Sequence, residues 1–60
     1  MTSDDLRAWQ AKIGYTYNSA ADALGVSRAT YARYLQSSNI PKYIGLACAA
    51  LSENLNEFTA

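Results

Sequence analysis

Ser27, Arg28, Ala29, Ala32 and Arg33 fall in one short stretch whose residue types and spacing suit the reading of a base edge. An arginine can lie bidentate on the O6 and N7 of a guanine in a DNA major groove, worth about 1–3 kcal/mol of discrimination per good pair. Arg28 is the leading candidate for that contact. Ala29 can offer its methyl to a thymine methyl, and Ala32, in the next turn, keeps the helix surface low enough for close approach. Arg33, five residues beyond Arg28, lies to its side, where a base edge and a phosphate are equally in reach. A second set has the chemistry to hold phosphates: Thr16 with the free amides of the helix it opens, then Tyr17, Asn18, Thr30 and Lys42 as side-chain donors.

These contacts need two short helices folded across a tight turn. Gly25 follows the apolar residue Leu24, where a helix end commonly takes positive φ and tolerates no Cβ. Ser27 is placed to cap a second helix over 28–35. Thr16 is the cap candidate of the preceding helix, 17–24, with Tyr15 before it as an apolar staple. Ala20, Ala21 and Leu24 are expected to face inward, because helices that meet steeply need small side chains where their backbones approach. Val26, Tyr31 and either Tyr34 or Leu35 should form the inner face of the second helix, leaving 28, 29, 32, 33 and 36 outside.

The remaining elements read as support. A helix over 4–13, capped by Ser3 or Asp4 after a frayed start, would place Leu6, Trp9 and Ile13 on one core face and stop at Gly14. Pro41 suits the first position of a last helix, 41–55. That helix carries two apolar stripes, one of Ile44, Ala47 or Cys48, Leu51 and Leu55, the other of Tyr43, Leu46 and Ala50. So much apolar circumference in so small a protein predicts an association surface. We read Tyr43, Leu46, Ala50, Leu51, Leu55 and the terminal Phe58 as a homodimer interface.

Composition narrows the classes. Sixty residues make a single domain, which buries only about 60% of the surface of its unfolded chain. The chain holds a single cysteine and no histidine. An intrachain disulfide, a zinc finger and a histidine general base are therefore excluded. Neither a paired-acid site nor an activated nucleophile is recognisable, so no enzyme, cofactor or small-molecule substrate is expected. With no apolar run near the roughly 20 residues of a membrane span and no signal-peptide pattern, a soluble cytoplasmic protein is expected. Net charge is zero, but all five cations lie between Arg7 and Lys42, where Asp22 is the sole acid. Asp4, Asp5, Glu53 and Glu57 occupy the ends, an arrangement that predicts a basic face.

The stretch IGYTYNSAADALGVSRATYARYL, 13–35, resembles the lambda-repressor-like (Cro/C1-type, XRE) helix-turn-helix family of phage and bacterial transcription regulators. ALGVSRATYARY, 23–34, is its closest piece, and IPKYIGLACAAL, 40–51, is similar to the segment after the motif in small prophage members. The resemblance covers about residues 4–52. It implies an all-α, compact four-helix domain, with room for a short fifth helix at the C-terminal end. It matches the family's core alanine to Ala21, its turn glycine to Gly25, its base-reading positions to Arg28, Ala29 and Arg33, and its phosphate-binding glutamine to Tyr17. The expected function is sequence-specific binding of double-stranded DNA by a phage-type repressor, as a homodimer on a palindromic operator. The alternative is an antitoxin-like or adaptor module that uses the apolar last helix on another protein.

Overall fold

The computed structural model describes residues 1–59 and contains four α-helices: α1 (Ser3–Ile13), α2 (Tyr17–Leu24), α3 (Arg28–Gln36) and α4 (Lys42–Ser52). Each helix sends a pair of side chains to one core: Leu6 and Trp9, Ala20 and Ala21, Tyr31 and Leu35, Ile44 and Cys48. α1 and α2 each pack against both α3 and α4, giving a compact four-helix bundle. Ile13, Tyr15, Leu24, Val26 and Tyr34 lie half-buried around that core. Tyr15 meets the edge of Trp9, with ring centroids 5.5 Å apart. Among the described residues no helix is long and apolar enough to cross a membrane.

The helix ends follow from local chemistry. Gly14 and Gly25 take φ of 86° and 72°, the left-handed region where a side chain is strained, and each ends its helix there. Thr16 caps α2 by accepting from the Ser19 amide, and the Ser19 hydroxyl accepts in return from the Thr16 amide. Ser27 caps α3 by accepting from the Thr30 amide at 3.1 Å.

Three expectations are corrected. The first helix starts earlier than expected: Thr2 caps α1 and exchanges hydrogen bonds with Asp5, while Ser3 is the first helical residue and is buried. These hydrogen bonds hold the Asp5 carboxyl below its ordinary range. Second, Pro41 is the cap of α4 rather than its first residue, and the helix ends at Ser52 rather than at 55. Asn54 adopts φ of 58°; its amide donates to Leu51 O and that of Leu55 to Ala50 O, a paired closure that consumes the last carbonyls. Leu55 is therefore outside the helix, and the described residues beyond it form no fifth one.

Third, Arg7 is not part of a free basic face. It pairs with Asp4 at 3.7 Å and donates from Nη2 to Leu35 O at 2.6 Å. The Ser3 hydroxyl donates to Tyr34 O at 2.7 Å, and the Ser3 amide donates to the Ser38 hydroxyl at 3.1 Å. The last carbonyls of a helix have no partner within it. Here α1 supplies those partners, and a cation at a helix C-terminus is favourable in itself. The seam fixes the far end of α3, as the glycine turn fixes its near end. Arg7→Ala is expected to cost about 1 kcal/mol, lowering the melting temperature by about 4–8 °C in a domain of this size. Lys12→Ala removes only an exposed cation from the last turn of α1 and should lower it by a smaller amount.

Two core groups set the response to alkali. The Tyr31 hydroxyl donates to Gln10 Oε1 at 2.6 Å, and burial pushes its pKa up to about 12. Burial pushes the Cys48 thiol up to about 11. Both groups favour the protonated folded state, so their contribution is complete below the ordinary thiol and phenol range and is lost as pH rises through the folded values. Urea midpoints should hold steady near neutrality and fall between about pH 9 and 12. Cys48→Ala should remove the earlier part of that fall.

Candidate nucleic-acid interface

The outer face of α3 is built by subtraction. Tyr31 and Leu35 are taken by the core, which leaves Arg28, Ala29, Arg33 and Gln36 exposed and Ala32 half-buried at the margin. All four base-reading candidates of α3 thus share the surface of one helix, next to its cap Ser27. Among the described residues the only ion pair is Arg7 with Asp4, so neither Arg28 nor Arg33 is neutralised by an acid.

A chain of hydrogen bonds runs along this surface. The Ser27 hydroxyl donates to Thr30 Oγ1 at 2.9 Å, and Arg33 Nη2 donates to the same oxygen at 3.2 Å. Thr30, a candidate phosphate donor, is half-buried and twice an acceptor, and it keeps its own proton to give. Its position orients Arg33 along the helix. The amides of Arg28 and Ala29, ahead of the capped Thr30, have no intrahelical acceptor.

α2 presents the complementary edge. The Ser19 amide is taken by Thr16 and that of Ala20 by the Thr16 carbonyl, which leaves the amides of Tyr17 and Asn18 without intrahelical acceptors at the positive end of the helix. Tyr17 is exposed at its rim while its ring stands edge-on to Tyr31, centroids 5.5 Å apart. That contact ties the start of α2 to the inner side of α3. Between the two helices lies an open groove of about 490 Å³ lined by Thr16, Asn18, Ser19, Ala21, Asp22, Val26 and Arg28. It joins the phosphate candidates Thr16 and Asn18 to the base-reading candidate Arg28. Lys42 is exposed at the start of α4, outside this groove.

The interface candidates divide. Tyr43 and Leu46 on α4, and Leu55 and Phe58 beyond its end, are 66%, 61%, 59% and 92% exposed. Ala50 and Leu51 are half-buried and line a smaller groove of about 170 Å³ with Ala23, Ala47, Leu55, Asn56 and Glu57. Sequence reasoning missed Arg7 and Ser3 as braces of α3 and gave Asp22 no role in the groove. The position of Asp22 on the outer side of α2, five residues after Tyr17, was the available signal.

No family model matches the chain, no curated protein matches it, and no solved structure does.

Proposed function

We propose that this chain is a sequence-specific double-stranded DNA-binding regulator of the lambda-repressor-like helix-turn-helix type, a phage or prophage repressor acting as a homodimer on a palindromic operator. The observation that carries the reading is the exposed outer face of α3, with Arg28 and Arg33 unpaired by acids beside the open α2 N-terminus. In helix-turn-helix docking the start of the second helix meets base edges and the first helix crosses the backbone. Arg28 and Ala29 then read bases, Arg33 reads a base or holds a phosphate, and Thr16, Tyr17 and Asn18 hold the backbone. With Arg7 committed to α1 and α3, one copy offers few cations to phosphates. A dimer doubles them and matches half-sites about 34–36 Å apart.

The exposed Tyr43, Leu46, Leu55 and Phe58 supply an apolar surface for that dimer. The same surface favours a second reading, an antitoxin-like adaptor that keeps the fold and docks another protein. Selection of duplexes from a random pool, with binding measured between about 50 and 200 mM salt, separates the two. Enrichment of a palindrome and a steep salt dependence support the repressor. Absence of binding to any duplex supports the adaptor.

A further inference from the structure

Asp22 is placed where an acid is unfavourable twice over. It lies in the last turn of α2, at the negative end of that helix, where the helix dipole disfavours a carboxylate. It also lies in the groove that would face a polyanion, and among the described residues no cation pairs with it. It is the only acid between Leu6 and Ser52. The fold gains nothing visible from it. What the groove does supply is a neighbour of opposite charge across the gap, Arg28, on the adjoining helix.

Resting on the DNA-binding reading, we infer that Asp22 is a specificity-determining positioning residue, whose carboxylate closes on Arg28 when DNA enters the groove and holds the guanidinium edge-on to a guanine. The guanidinium has five N–H donors in one plane. One edge, Nη1 and Nη2, meets guanine O6 and N7, while the Nε edge remains for a carboxylate. Both charges begin solvated and unpaired, so the free protein loses no existing ion pair when they meet. Held from behind, Arg28 cannot swing to the phosphates on either side, contacts that give affinity without sequence information. An asparagine keeps the size of Asp22 and loses the charge-assisted half of the contact.

The test uses the full chain with Asp22→Asn, Arg28→Ala and the double variant. The duplexes are the selected palindrome, versions with the Arg28-dependent guanine replaced, and a random duplex. Asp22 is exposed, and Asp22→Asn should raise the melting temperature slightly, which separates its effect from unfolding. The expected result is a loss of about tenfold in guanine discrimination, together with equal or tighter binding to the random duplex. In the Arg28→Ala background, Asp22→Asn should change no base preference. Uniformly tighter binding to every duplex with discrimination intact would overturn the inference, leaving Asp22 as a repulsive charge only. A discrimination loss that persists without Arg28 would also overturn it, because Asp22 would then act on a base by itself. If Arg28→Ala changes no duplex preference, the reading of α3 fails first, and this inference with it.

Discussion

Arg28→Ala is expected to erase the preference for one or two base pairs in each half-site while leaving the fold intact. The side chain is exposed at the first position of α3 and makes no hydrogen bond or ion pair with the described residues, so its removal leaves no buried group unmet. A lost bidentate contact to guanine costs about 1–3 kcal/mol, and a symmetric dimer loses it twice. Affinity for the operator should fall roughly 30-fold or more on that arithmetic. Binding to a random duplex should fall far less, because only a charge is lost there. Competition binding against operator variants, with circular dichroism as the folding control, measures both quantities. Unchanged operator binding would remove α3 as the reading helix.

Ala21→Leu is expected to produce the opposite pattern, a damaged fold and a loss of all binding together. Ala21 is 3% exposed in the core, on α2, which packs against α3 and α4. Extra methylenes in a packed interior cost about 1–3 kcal/mol, and a core in a chain of this length rarely supplies more than about 3–5 kcal/mol. Much of the protein should unfold near physiological temperature. Ala11→Leu, on the exposed side of α1, adds the same volume without the clash and should keep a wild-type melting temperature. Thermal melts of the two variants side by side distinguish packing from composition. Equal melting temperatures would mean that α2 and α3 have room to separate, and that the angle of α3 is not fixed by its small residues.

How much of this was legible in the sequence depended on how local each decision was. Gly14, Gly25, Thr16 and Ser27 act within a few residues of themselves, and their types identified the ends of α1, α2 and the start of α3. The outer face of α3 was also legible, because Tyr31 and Leu35 mark its inner side by period. The start of the chain was harder. Thr2, Ser3, Asp4 and Asp5 are all residues that can cap or open a helix, and the choice fell to Thr2 through Asp5, while Ser3 was drawn inward by Tyr34 O from α3. That last partner is 31 residues away and leaves no local trace. Arg7 is the same case: a solvated cation and a helix brace look identical until the end of α3 is placed beside it. The end of α4 is not legible in the same way, because Leu55 continues the apolar stripe whereas Asn54 takes positive φ and closes the helix early.

In the proposed complex the outer face of α3, with the start of α2, is the surface that meets DNA. Amide chemical shifts of the protein, recorded while the best duplex from the random-pool selection is added, test it most directly. The largest changes are expected on Thr16–Asn18 and Ser27–Arg33, with the core pairs of α1 and α4 little affected. Changes confined to Tyr43–Phe58 with residues 27–33 undisturbed would contradict it, as would a selection that enriches no duplex to add.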